Sequence, residues 1–193
     1  MAGLTELLQR PVLEVAPALL GARFTHGGVT VRLTEVEAYD GADDPGSHAY
    51  RGMTNRNQVM FGPPGWLYLY FTYGMHHCCN VSCGPEGEAS AVLLRAGEVV
   101  DGLDVARARR PGSSDRDLAR GPGRLCRAMG IDLADNGLDL TAAITPADAG
   151  AVSTGPRVGL RQAADRPWRF WLTGDPTVSR YQPAKPRSGR RIG

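Results

Sequence analysis

Two charged residues stand where a chain rarely puts them. Polar and apolar residues alternate through residues 29–38, with Val31, Leu33 and Glu35 on one face. Continued alternation puts Glu37 and Tyr39 on that same inward face. A carboxylate turned towards a core is costly unless it is paired or working. Arg95 interrupts the buried-strand pattern of residues 89–96. A cation there needs an acceptor, either a core carboxylate or a ligand. A satisfied salt bridge would answer both oddities, and so would a carboxylate that takes a proton from water. A third candidate is aromatic. Residues 66–82 form the densest aromatic run in a chain that is 7% aromatic. Leu67, Leu69 and Phe71 alternate with Tyr68, Tyr70 and Thr72, the period of a half-buried strand. Tyr73-Gly74 breaks the run and a second alternation follows, which reads as a hairpin with Tyr73 near its tip. Tyr68 and Tyr70 would then face Cys78, Asn80 or Ser82. The plainer reading is a sheet edge whose tyrosines pack. Gly121-Pro122-Gly123 opens a helix over residues 124–129, with Arg120 and Arg124 close by. Free amides there make either a phosphate site or an ordinary helix entry.

The elements that must position these groups are short. Residues 4–10 and 16–20 read as helices stopped by Pro11 and Gly21. Residues 22–26 and 29–38 flank Gly27-Gly28 as a hairpin. Residues 40–46 are turn chemistry containing Asp43 and Asp44. His48 follows in a loop, and Arg56 and Asn57 sit in the polar half of residues 51–61. Residues 99–110 read as an amphipathic helix. Residues 138–141, 152–157 and 168–173 read as strands, and the Pro-rich tail is expected to fray from Gly174. No repeat or linker divides the chain, so residues 1–193 are taken as one domain, with about 181–193 a flexible basic tail.

Composition narrows the classes. With 193 residues, 42% hydrophobic, there is ample core for one domain. No apolar run approaches the ~20 residues of a membrane span, and the first ten residues lack the basic segment of a signal peptide. Cys78, Cys79, Cys83 and Cys126 show no disulfide-framework spacing, so reduced thiols and a cytoplasmic setting are expected. The net charge of +2 hides a gradient. Residues 1–50 carry three Arg against seven acids, residues 95–127 eight Arg against five, and the tail from Arg180 four Arg and Lys185 with no acid. That is a footprint for a polyanion. Of the 22 basic residues only Lys185 is a lysine. Guanidinium forks suit phosphates but cannot form Schiff bases.

Taken in order, one set of motifs resembles a known family. It comprises Thr34-Glu35-Val36-Glu37-Ala38-Tyr39, Asp43-Asp44, Ser47-His48, Arg56-Asn57 and Met60-Phe61. It continues through Pro64-Gly65-Trp66-Leu67-Tyr68-Leu69-Tyr70, Tyr73-Gly74-Met75, Asn80-Val81-Ser82 and Val92-Leu93-Leu94-Arg95-Ala96. It ends with Gly121-Pro122-Gly123-Arg124-Leu125-Cys126, Arg157-Val158-Gly159 and Trp168-Arg169-Phe170. The order and spacing resemble the 3-methyladenine (alkyladenine) DNA glycosylase family of the mammalian type, over residues 12–180. The resemblance implies a base-excision-repair enzyme that flips a damaged purine from duplex DNA and cuts its N-glycosidic bond. Glu37 would activate the water, and Arg95 would help hold it. Tyr39, His48 and Tyr70 would hold the base, and Asn80 would screen its exocyclic groups. Tyr73, with Met75, would enter the gap in the DNA. Arg56, Arg120 and Arg124 would contact phosphates. No metal or other cofactor is implied, and the partner would be duplex DNA carrying alkylated or deaminated purines, bound by a monomer away from any membrane. The shape implied is an α/β (α+β) domain with a curved, mostly antiparallel sheet, peripheral short helices and a protruding hairpin. His76-His77-Cys78-Cys79 and the scarcity of Lys depart from the pattern.

Two other classes stand beside that one. A single-strand binder could use Tyr68, Tyr70 and Tyr73 as a stacking platform, although an inward Glu37 has no task in it. A metal hydrolase could recruit His76, His77, Cys78, Cys79 and Cys83. Adjacent strand residues point to opposite faces, however, so that run cannot close one tetrahedral site by itself.

Overall fold

The structure is a computed structural model in which residues 3–72 and 76–184 are described. Tyr73 and Met75, the expected tip residues, lie outside them, as does the chain beyond residue 184. β1 (Arg23–His26) and β2 (Val29–Tyr39) form the expected hairpin. Gly27 and Gly28 both take positive φ, 55° and 77°, which only glycine adopts freely in so tight a turn. β2 is the spine of the sheet. One edge pairs with β5 (Ser90–Asp101), and the other pairs first with β1 and then with β8 (Arg169–Leu172). β4 (His76–Cys83) and β3 (Leu67–Thr72) extend the sheet beyond β5. β6 (Ile144–Thr145) and β7 (Val152–Gly155) add to β1 and β8. All these pairings are antiparallel, giving one curled sheet in a single α/β domain.

α1 (Leu4–Leu8), α2 (Val12–Ala18) and α4 (Pro122–Met129) cover one face. Leu8, Val15, Leu125 and Met129 pack there with Val31, Leu33, Val36, Leu67, Val81 and Leu94. Each such side chain contributes about 1.5–3 kcal/mol on burial, so this face anchors the fold. The opposite face holds a smaller cluster of Ala49, Val59, Met60, Tyr68, Ala89 and Ala91. The site lies on that second face.

The alternation expected along β2 does not persist. Leu33 pairs with Gly97 and Glu35 with Ala96, so Thr34 is an extra residue in β2. Val36 then pairs with Leu94, so Arg95 is an extra residue in β5. These are two opposed β-bulges. Across them the core face passes from Val31 and Leu33 to Val36 and Ala38. Glu37 and Tyr39 therefore point away from the main core, opposite to the expected face. The reason is the period of two, since one inserted residue reverses every side chain after it. Gly97 permits the close approach. A Cβ there would lie 2.1 Å from Val31 Cγ1 and 2.6 Å from the Arg32 carbonyl oxygen.

Other expectations also shift. The second helix begins at Val12, behind Pro11, whose fixed φ suits a helix entry. β5 runs on to Asp101, so α3 covers only Leu103–Arg109. Residues 138–141 form no strand, apart from an isolated bridge of Asp139 to Trp66. Phe71 is 43% exposed and does not anchor its strand as Leu67 and Leu69 do. Through residue 182 the chain does not fray after Gly174. Thr177 Oγ1 lies 2.8 Å from Thr34 Oγ1, Ser179 N donates to Glu35 Oε2 at 2.7 Å, and Gly159 N donates to the Gln182 carbonyl at 2.9 Å. At Ser179 the tail supplies a donor that buried Glu35 needs.

Candidate active site

The bulges deliver Glu37, Arg95 and Glu35 to one place. Glu37 is fully buried. Its Oε2 accepts from the Tyr39 hydroxyl at 2.8 Å and its Oε1 from the Val158 backbone N–H at 2.7 Å. Arg95 Nη1 lies 3.4 Å from Oε2. Arg95 Nε donates to Glu35 Oε1 at 3.1 Å, and Arg169 Nε donates to the same oxygen at 2.6 Å. Ser179 adds its hydroxyl to Glu35 Oε1 at 3.0 Å. Two carboxylates and two guanidiniums thus form a buried set whose formal charges cancel. Burial works against the charge on Arg95, but Glu37 and Glu35 outweigh it and raise its pKa. Arg95 can hold charge and orient a water, not shuttle a proton. Burial, then Glu37, raises the Tyr39 pKa well above its ordinary value, so its phenol keeps the proton it donates. Each Glu37 oxygen retains a lone pair that could accept from a water.

Beside this carboxylate is an aromatic slot. Directly opposed residues run Glu37–Leu93–Asn80–Tyr68 across β2, β5, β4 and β3. Tyr39, Gly46, His48, Met60, Tyr68, Tyr70, Asn80 and Leu160 line a cavity of about 70 Å³. His48 Nδ1 is 3.1 Å from the Tyr68 hydroxyl, and burial pushes the Tyr68 pKa up to about 12. Burial and the nearby Arg56 charge lower the His48 pKa. The His48 ring stands edge-on to Tyr70, 4.6 Å between centroids and 82° between planes. Asn80 Nδ2 donates to the Tyr68 carbonyl at 3.1 Å, leaving the carboxamide oxygen for the slot. The cavity has room for about two waters. A flat bicyclic base can be sandwiched there only if His48 turns.

The expected site residues divide accordingly. Glu37, Arg95, Tyr39, His48, Tyr70 and Asn80 are brought together. Tyr73 and Met75 lie outside the described residues. Arg56 is exposed at the rim, its Nη2 donating to the Phe71 carbonyl at 3.3 Å. Arg120 and Arg124 lie elsewhere, along an open groove of about 1010 Å³ that also meets His76, His77, Cys78 and Arg127. Arg120 is partly committed to the fold, donating to the Val178 carbonyl at 2.9 Å and to Asp117 at 3.2 Å. Arg124 is exposed. The His-His-Cys-Cys run splits by strand parity, with Cys79 in the core and Cys78 beside Tyr70. Sequence reasoning missed Tyr68, which gave no signal beyond packing. It also gave no role to Arg157, Val158 and Arg169, which stood only within the family motifs, and passed over Leu160 and Ser179; all five are more than a hundred residues from Glu37 in sequence.

The sequence pattern of the methylpurine-DNA glycosylase family matches residues 6–176. The chain belongs to that family. It is 53% identical to a protein of Streptomyces avermitilis over 96% of this chain and 94% of that one. It is 53% identical to one of Frankia casuarinae, covering 93% of each chain, and 56% identical to one of Nocardia farcinica, covering 86% and 85%. All three carry the name "Putative 3-methyladenine DNA glycosylase". DNA is accordingly the partner of this glycosylase, and base-excision repair of alkylation damage its process. Among the described residues no helix is long and apolar enough to cross a membrane.

Proposed function

We propose that this glycosylase takes alkylated or deaminated purines, 3-methyladenine foremost, out of duplex DNA and hydrolyses the bond to the sugar. One observation carries the reading: Glu37 is a buried carboxylate, fixed by the Val158 amide and by the hydroxyl of Tyr39, and Tyr39 itself lines an aromatic slot. In the reaction Glu37 takes a proton from water while the water oxygen bonds to the anomeric carbon. The C–N bond breaks and its electron pair leaves with the purine. A cationic methylpurine departs neutral and needs no acid. The positive charge that develops on the sugar is stabilised by the carboxylate. Tyr39, His48 and Tyr70 supply stacking worth roughly 1–3 kcal/mol for the base. Tyr73 fills the vacated space in the duplex, with Met75 beside it, offsetting an unstacking cost of a few kcal/mol. Asn80 screens exocyclic groups. The same slot would take 7-methylguanine, hypoxanthine and ethenoadenine, and the chain would act as a monomer.

Replacing Glu37 by Gln keeps shape and removes the base. Single-turnover release of 3-methyladenine from a duplex should then slow by roughly 10²–10⁴-fold. Full activity in Glu37→Gln would end this assignment. With water as nucleophile the enzyme is monofunctional, so borohydride should trap no protein–DNA adduct. A trapped adduct would show an amine nucleophile instead.

A further inference from the structure

Arg157 is wholly buried, 119 residues from the strand end it holds. Its guanidinium donates to the Ala38 carbonyl at 2.9 Å and makes a two-pronged pair with Asp44, Nη2 to Oδ1 at 2.7 Å. The same guanidinium carbon lies 4.7 Å from the centroid of Tyr39 and 5.1 Å from that of Trp168. Among the described residues its Nε is the only buried side-chain nitrogen or oxygen without a hydrogen-bond partner. A charge this deep is expensive unless its geometry does something that an apolar residue could not.

The surroundings of Arg157 lead to the site. Tyr39 donates to Glu37 Oε2. Val158, the next residue along, donates its amide to Glu37 Oε1 at 2.7 Å. Leu160 lines the slot, and so does Gly46, two residues from Asp44 and two from His48. Gly46 is pressed against the clamp. A Cβ there would lie 2.8 Å from both Arg157 Nη2 and Leu160 Cδ1. Arg157 itself does not line the slot.

We propose that Arg157 is a positioning residue for base excision, with Asp44 as its counterpart. It fixes both donors on Glu37, the Tyr39 hydroxyl and the Val158 amide. It also sets the spacing between two walls of the base slot, the segments around Gly46 and Leu160. This rests on the reading of Glu37 as the base that activates water. A lysine cannot reproduce it, because one ammonium cannot make the planar two-pronged pair with Asp44 while also reaching the Ala38 carbonyl.

The test is single-turnover excision of hypoxanthine from duplex DNA by Arg157→Lys and Asp44→Asn, with active sites first counted by titration against a duplex carrying a non-cleavable abasic analogue. The rate per counted site should fall at least tenfold in Arg157→Lys and by a smaller factor in Asp44→Asn. Affinity for the analogue should stay within about threefold. A role confined to stability would lower the number of sites and leave the rate of each at the wild-type value, and that result overturns the proposal. If Arg157→Lys yields too few sites to count, Asp44→Asn decides alone. Glu37→Gln run alongside separates the two claims. Full activity there removes the reading of Glu37. A slow Glu37→Gln with wild-type rates per site in both clamp variants removes only the role of Arg157.

Discussion

In the proposed complex His48 would meet the purine with its charge state already biased. Burial and the Arg56 charge hold its pKa below the ordinary 6.5. A neutral imidazole can lie against a cationic methylpurine, whereas an imidazolium would repel it. Acidification below 6.5 should therefore slow excision of 7-methylguanine more than that of uncharged hypoxanthine. Removing the Arg56 charge raises the His48 pKa, so in Arg56→Ala the ratio of the two rates should begin to fall at higher pH. Paired pH–rate profiles check this, and an unmoved ratio would contradict it. At this scale Glu37 and Arg95 were legible because a charge among apolar neighbours is anomalous whatever the fold. Tyr68 was not, because a buried tyrosine needs no special account and its bond to His48 appears only once loop and strand are packed. Val158 stood only within the motif Arg157-Val158-Gly159 and gave no sign of its role, since what it contributes is a backbone amide.

The elements exist to turn that carboxylate round. Gly97 lets β2 and β5 approach at their paired bulges, and a methyl group there meets backbone as well as a side chain. Gly97→Ala should cost about 1–3 kcal/mol by overpacking, read as a lower urea midpoint. An unchanged midpoint would mean that the strands can part without loss. The Asp44–Arg157 pair ties the loop before His48 to the segment around Leu160. Burial alone would raise the Asp44 pKa, but the bonds from Arg157 and the Gly46 amide outweigh it and the value is lowered. A depressed carboxylate stabilises the fold above its unfolded value of 3.8, and that contribution is lost as pH falls through the lower folded value. Asp44→Asn should thus cost about 3–5 kcal/mol at pH 7, and the gap to wild type should narrow below pH 3.8. A gap independent of pH would refute the assignment. The β1–β2 hairpin and the β3–β4 pairing were readable from alternation and turn residues. The bulges were not taken from alternation alone, although Val36 and Ala38 mark the change of parity by being apolar on the other phase.

Across the whole molecule, the acidic first fifty residues supply Glu37, Tyr39 and His48, and the arginine-rich middle lines most of the open groove. Arginines 109, 110 and 127 donate to backbone carbonyls there, so part of that charge is structural. Arg124 stands exposed at the entry to α4. If it contacts a phosphate, the log–log salt dependence of duplex binding should lose about 0.9 in slope in Arg124→Ala. Titrations between low and moderate salt check this, and an unchanged slope would place the phosphates elsewhere. The mostly antiparallel sheet and the family were legible because the motifs of the family run in order along nearly the whole chain. The closing of the far end, where residues 157–182 return to Glu35 and Glu37, was not. Long-range pairing of single donors leaves no local pattern.

The most direct measurement is release of free base from duplexes each carrying one lesion, with enzyme in excess, for the wild type and Glu37→Gln. The account predicts that the wild type frees 3-methyladenine, with the strand intact until alkali is added. It predicts that Glu37→Gln binds the same duplex but is slower by at least a hundredfold, within the range expected for losing a general base. Equal rates in the two proteins, or no base released by the wild type, would contradict it.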